Sequence, residues 1–309
     1  MPSDCLAALD LGSNTFRLIL ATPAGGKPAS RQVWQELPRL SEGLSPGSPL
    51  GEEPKKRALA ALEGFAEVVG KHEPKRVLAG GTMVFREASD GRAFLGGIGR
   101  RLGWETIVLS GEQEARLSAA GVLSGLDPLP DEAVIFDIGG RSTEFVRTRG
   151  RGIVSCQSLP VGVVGLTEAH LKSDPPTPGE TRALDAACLR ALGECRVDRG
   201  GEFVLVGTAG TVTTIEAMLL GLEVYDPELV NNRLFTREDL ESLREKVAGT
   251  TLASRRSLAG LHPARADVIV AGLALVGAAM SFMDRSRVVV SDNSLLEGLW
   301  LAAAGLAHL

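Results

Sequence analysis

The chain has 309 residues, which as a soft prior suggests two domains, and 44% of them are hydrophobic, enough for two sizeable cores. A formal charge of −5 gives no bulk attraction to nucleic acid, so a polyanion could bind only through a local basic patch. The four cysteines, Cys5, Cys156, Cys188 and Cys195, form no C-x-x-C pair and read as buried free thiols in a reducing compartment; the four histidines show no metal-ligand spacing. No signal-peptide pattern opens the chain, and the apolar run Val268 to Met283 is short enough to be a core helix rather than a span. A cytoplasmic protein with no membrane partner and no nucleic-acid partner is the expectation.

Leu6 to Leu11, Phe16 to Thr22 and Arg31 to Glu36 read as three strands, followed by a loop rich in Pro and Gly. Lys55 to His72 has helical spacing, with Leu59, Leu62, Phe65, Ala66 and Val69 on one face. A strand at Arg76 to Ala79 leads into GTMVFREASDG, a loop or short helix, then a helix over Arg92 to Leu102. Thr106 to Leu109 is a strand and Glu112 to Leu123 a helix. The pattern then restarts with strands at Ala133 to Ile138, Thr143 to Thr148 and Ile153 to Leu159. A capping box at Thr177 and Glu180 opens a helix to about Cys195. Phe203 to Val206 is a strand, Thr211 to Leu220 a helix, and Thr236 to Asp239 caps another. Ala264 to Met283 is a long apolar helix, Val288 to Val290 the last strand, and Ser294 to His308 a closing helix.

Two stretches share one design. AVIFDIGGRSTEFV, Ala133 to Val146, places Asp137 at the end of an apolar strand. Gly139 and Gly140 follow, where a tight turn is expected to need positive φ, then Arg141, Ser142, Thr143 and Glu144. ALDLGSNTFRLI, Ala8 to Ile19, repeats it with Asp10 for Asp137, Gly12 for Gly139, and Ser13 and Asn14 in the turn. A Gly-rich turn can aim backbone N–H groups at an anion, and carboxylates beside an anion site suit Mg²⁺. Two such hairpins could grip one phosphate chain. The plain alternative is a pair of ordinary turns whose Asp residues anchor the backbone.

At these residues the sequence resembles the exopolyphosphatase/guanosine pentaphosphate phosphatase family. The likeness runs in order through ALDLGSNTFRL, GTMVFREA, LSGEQEARL, FDIGGRSTEF, LPVGVVGLTE, VGTAGT, GLHPARADVIVAG and VVVSDNSLLEG. It implies two duplicated actin-like α/β domains of the Hsp70-like and sugar-kinase-like ATPase superfamily, each a mixed sheet with flanking helices, and a cleft between them. The expected domains are 1–124 with 294–309, and 125–293. The resemblance implies release of terminal phosphate from inorganic polyphosphate with Mg²⁺. Guanosine pentaphosphate is the alternative substrate, and a non-catalytic phosphate-binding regulator or an ATP user are the rival readings. It makes Glu114 the catalytic base, and Ser13, Asn14, Arg86, Gly139, Gly140, Arg141, Ser142 and Thr143 the phosphate contacts. Asp10, Asp137 and Glu144 are the implied metal ligands, and homodimerisation stays open.

The residues themselves agree that Glu114 is not needed as a cap, since Ser110 and Gln113 already have capping-box spacing. The chain departs from the family at Arg141, where a third Gly is usual. It also departs at Gln113 for Glu, Leu296 for Arg, and Asn231–Asn232 for a His. Arg141 either adds a cationic phosphate contact or blocks the turn.

Overall fold

The structure, a computed structural model, describes residues 4–308. It divides into two compact units, Met1–Ser124 with Ser294–Leu309, and Gly125–Asn293. In the first unit, β1 (Leu6–Leu11) pairs antiparallel with β2 (Phe16–Ala24), which pairs antiparallel with β3 (Lys27–Glu36). On its other side β1 runs parallel to β4 (Val77–Gly81), and β4 runs parallel to β5 (Glu105–Val108). Among the described residues the order is β3-β2-β1-β4-β5.

Alternation along the strands sorts side chains to the two faces. Leu9, Leu11, Phe16, Leu18 and Leu20 face a core with Leu62 and Phe65 of α1 (Glu52–His72), Phe85 of α2 (Met83–Glu87) and Leu95 of α3 (Gly91–Leu102). Ala8, Ile19 and Ala21 face the other core. There they meet Leu117 of α4 (Gly111–Gly125) and Leu299 and Trp300 of α12 (Leu295–Ala303). By the same alternation Asp10 and Arg17 sit on the α4 and α12 face.

The second unit repeats the plan. β6 (Glu132–Ile138) pairs antiparallel with β7 (Thr143–Arg149), and β7 with β8 (Gly152–Leu159). β6 runs parallel to β9 (Val204–Thr208), and β9 parallel to β11 (Arg287–Val290), which β10 (Leu234–Thr236) extends antiparallel. Read from β8, the order β8-β7-β6-β9-β11 reproduces that of the first unit, with β10 added at the edge. This is a duplicated α/β arrangement, two mixed sheets with flanking helices, as the family resemblance implies. Val134, Phe136, Ile138 and Phe145 face a core with α5 (Val163–His170), α6 (Pro178–Leu192), α7 (Ala209–Leu220), α9 (Arg237–Ala248) and α11 (Ile269–Phe282). Residues Ile269 to Met280 of α11 are all buried there, so the apolar run is a core helix. No helix of the described residues is long and apolar enough to cross a membrane.

Local signals account for several helix starts. Thr177 and Glu180 close a reciprocal capping box on α6, and Thr236 and Asp239 do so on α9. Glu180 accepts N–H groups from Thr177, Lys172 and Ser173, which holds its carboxyl down to about 2. Other expectations need correction. α6 stops at Leu192, not Cys195, and α12 stops at Ala303, not His308. The apolar helix starts at Ile269, because Pro263–Arg265 forms a short 3₁₀ turn instead. Three short helices, α5, α8 (Pro227–Val230) and α10 (Leu252–Arg255), and strand β10 carry no periodicity long enough to read.

α4 and α12 cross at very short range within the first unit. A Cβ built on Gly298 would lie 1.9 Å from the Leu117 carbonyl oxygen. Gly298→Ala should therefore force the helices apart and destabilise the fold by about 1–3 kcal/mol, the usual cost of overpacking. Calorimetric melting checks this, and an unchanged melting temperature would contradict the close contact.

Candidate active site

Each unit carries one four-residue turn between its first two strands. Gly12 N donates to Thr15 O at 3.0 Å, and Gly139 N donates to Ser142 O at 2.9 Å. The turns are therefore superposable in sequence: Ser13 matches Gly140, Asn14 matches Arg141, and Arg17 matches Glu144. Gly139 does not adopt the positive φ expected of it. Glycine fits here for a different reason, close backbone approach. A Cβ at Gly139 would lie 3.2 Å from Ser142 O, and one at Gly12 would lie 2.9 Å from Thr15 O.

The carbonyls of both turns are tied down from outside the hairpin. Ser41 N donates to Ser13 O at 3.0 Å and Arg39 N to Asn14 O at 3.1 Å. Val163 N and Val164 N, at the start of α5, donate to Gly139 O and Gly140 O at 3.1 and 2.7 Å. Gly162 permits that approach, since a Cβ there would lie 2.4 Å from Arg141 N. In each unit the segment after the third strand forms this clamp. With the carbonyls held away, the turn can present N–H groups on its other side.

The charges beside the turns differ. Asp137 and Glu144 lie directly opposite on the β6–β7 ladder, so two carboxylates share one face. Glu144 is buried, 2% exposed, and accepts a hydrogen bond from Ser158 Oγ at 2.6 Å. At the same position in the first unit Asp10 opposes Arg17, and Arg17 Nη2 binds Asp10 Oδ2 at 2.9 Å. Arg17 also donates to Ser294 Oγ at 2.6 Å, and Ser294 N donates to Glu297 Oε2 at 2.8 Å. Glu297 in turn holds Arg31 at 3.0 Å. The Asp10 carboxylate thus faces a cation where, on the equivalent ladder position, Asp137 faces the carboxylate Glu144. Laying DLGSNTFR over DIGGRSTE exposes this Arg/Glu exchange, a signal present in the sequence but not used in the expectation.

Glu114 and Arg86 come together as an ion pair. Arg86 Nη1 donates to Glu114 Oε2 and to Leu109 O, both at 2.7 Å, and Glu114 is only 7% exposed. The Ser110–Gln113 capping box is present, with Ser110 N on Gln113 Oε1 at 2.9 Å and Gln113 N on Ser110 Oγ at 3.1 Å. Glu114 is therefore not the cap of α4. A buried carboxylate oriented by a guanidinium can position a water or accept its proton.

The remaining expected contacts divide. Ser13 and Ser142 are buried in their turns, and Asn14 is half-buried. The Thr143 hydroxyl is fully buried and donates to Val161 O at 2.7 Å, so it braces the turn against the clamp rather than facing a ligand. Among the described residues the left-handed non-glycine ones are Ser30, Arg39, Glu73, Ala209, Asn232 and Asp284, and Arg141 is not one of them. Its side chain, 11% exposed, lies 3.7 Å from Glu168 of α5.

The profile of the Ppx/GppA phosphatase family matches residues 35–306. The chain belongs to the Ppx/GppA phosphatase family. It is accordingly an enzyme of the phosphoanhydride-hydrolase kind. Exopolyphosphatase 2 of Mycobacterium tuberculosis is 31% identical over 317 residues, covering 97% of this chain and 98% of that protein. The crystal structure of an exopolyphosphatase-like protein has a TM-score of 0.91 at 28% identity, covering 98% of this chain and 99% of its own. The Aquifex aeolicus member of the Ppx/GppA family has a TM-score of 0.82 at 27% identity, with 97% of each chain covered.

The donor set tests whether a divalent metal fits a Ppx/GppA enzyme built this way. Mg²⁺ is characteristically held by one or two carboxylates together with substrate phosphates, rather than by an all-protein cage. The opposed Asp137 and Glu144 carboxylates match that habit, whereas Asp10 already binds Arg17. A cation bound to the folded state alone stabilises it by mass action. Asp137→Asn should therefore abolish the rise in melting temperature on going from EDTA to Mg²⁺. Melting curves in both conditions check this, and a Mg²⁺ response equal to that of the wild type would remove Asp137 from the metal set.

Proposed function

We propose that this phosphatase hydrolyses terminal phosphoanhydride bonds of inorganic polyphosphate and releases orthophosphate. The single observation that supports the reading most is the buried Arg86–Glu114 pair, in a unit whose turn has its carbonyls clamped away from the N–H side. Phosphoryl transfer asks chiefly for positioning and charge neutralisation. The amides of both turns, with the Ser13 and Ser142 hydroxyls and the Asn14 amide, hold phosphate oxygens, and Arg141 adds a guanidinium. Asp137 and Glu144 would hold Mg²⁺, which when bound would supply positive charge for the phosphoryl oxygens. Glu114, aimed by Arg86, orients a water and takes its proton as the water oxygen bonds to phosphorus. The bridging P–O bond breaks and its electrons stay on the shortened chain. Guanosine pentaphosphate is the second substrate compatible with the same chemistry.

Phosphate release by the full chain with Mg²⁺, from polyphosphate, guanosine pentaphosphate and ATP, tests the reading. Polyphosphate should be turned over fastest. Faster release from ATP, or no release from any of the three, would overturn it. Glu114→Gln should lower kcat by about 10²–10⁴ with KM little changed, because the group acts in the transition state. Turnover near that of the wild type would take the base role from Glu114.

A further inference from the structure

We infer that Ser158 is a positioning residue for the Glu144 carboxylate and sets how tightly this enzyme takes a divalent cation; this rests on the reading of Asp137 and Glu144 as metal ligands. Asp137, Glu144 and Ser158 stand at one register of three adjacent strands, β6, β7 and β8, so their side chains project from one face of the sheet. Glu144 is the middle member. Ser158 Oγ donates to its Oε1 at 2.6 Å, the short distance expected of a hydroxyl on a carboxylate. A carboxylate only 2% exposed would be costly to bury without such donors.

Ser158 also opens the segment that clamps the second turn. Further along it, Val161 O takes the Thr143 hydroxyl at 2.7 Å, and Val163 N and Val164 N hold Gly139 O and Gly140 O. One stretch, 158–164, therefore fixes both the carboxylate and the turn beside it, and fixes them relative to each other. The first unit is built otherwise. The middle member of its row is Arg17, and the place of Ser158 is taken by Gln35, which is exposed. The hydroxyl on Arg17 comes instead from Ser294, which caps α12. A hydroxyl aimed from the third strand thus belongs to the unit whose row carries two opposed carboxylates. Partners that orient a ligating carboxylate in this way govern metal affinity, and their loss typically costs about 10–100-fold.

The test measures Mn²⁺ dissociation constants of the full chain from the paramagnetic resonance signal of the free ion. Mn²⁺ is the probe because it takes the same oxygen donors as Mg²⁺. The proteins are wild type, Ser158→Ala, Ser158→Thr and Glu144→Gln, each also melted in EDTA to compare their folds. Ser158→Ala should weaken Mn²⁺ binding about tenfold or more, and Ser158→Thr, which keeps the hydroxyl, should recover most of it. A wild-type constant in Ser158→Ala beside a weakened one in Glu144→Gln overturns the inference and leaves the metal reading standing. That holds even if Ser158→Ala melts lower in EDTA, because the hydroxyl would then only support the buried carboxylate. Equal losses in Ser158→Ala and Ser158→Thr also overturn it, since the hydroxyl would not be what matters. Wild-type binding by Glu144→Gln, or no Mn²⁺ binding by the wild type, removes the metal reading itself, and the inference falls with it. Should Ser158→Ala fail to fold, Ser158→Cys, similar in shape and a weaker donor, is read in its place.

Discussion

Both units depend on the same backbone constraint: a tight turn whose carbonyl oxygens are bonded from behind. A Gly N–H to carbonyl bond closes each turn, and two N–H donors from a later segment take up the carbonyls at its tip. Left unpaired, buried carbonyls would be costly, and they would also repel an anion. Pairing them from one side leaves the opposite side of the turn as the electropositive one. Strand order follows from the same need. The meander places the turn at the carboxyl end of β1 and β6, and the parallel neighbours β4 and β9 flank it. In open α/β sheets that end is where ligands bind.

Duplication kept the frame and changed the charge. At one equivalent ladder position the first unit has Arg17 against Asp10, and the second has Glu144 against Asp137. The first pair is neutral and is extended through Ser294 and Glu297 at the start of α12 to Arg31 of β3. That chain ties the last helix of the sequence to its first hairpin, so the first unit is complete only when the chain has returned to it. The second pair carries excess negative charge and suits a hard cation beside phosphate. The carboxylate of the first turn is thus paired within its own unit; under the proposed function those of the second would hold the metal.

Much of this was readable from the residues alone, for identifiable reasons. Strands β1, β2, β6 and β7 announce themselves because their apolar runs stop at Asp-apolar-Gly and resume after the turn. The Ser110–Gln113 box, which frees Glu114 from capping, is a local pattern and so survives into the structure. The clamps are not readable in this way. Ser41 and Val163 act through backbone N–H groups, which every non-proline residue has, so no side-chain pattern marks them. The segment VGVVGL looks like a continuous apolar run interrupted by glycine, and α5 hides in it. Gly139 was misread because a Gly-rich hairpin suggests positive φ, whereas here the glycine answers to the nearness of Ser142 O. The partner of the Thr143 hydroxyl, the Val161 carbonyl, comes from a later segment and leaves no local pattern.

The central claim is that the N–H sides of both turns receive phosphate. The most direct measurement is the change in backbone amide resonances of the full chain when tripolyphosphate and Mg²⁺ are added. The account predicts that the amides of Ser13, Asn14 and Thr15, and those of Gly140, Arg141 and Ser142, shift and saturate. Shifts confined to other positions, such as Thr208 and the first turn of α7, with both hairpin turns unmoved, would contradict it.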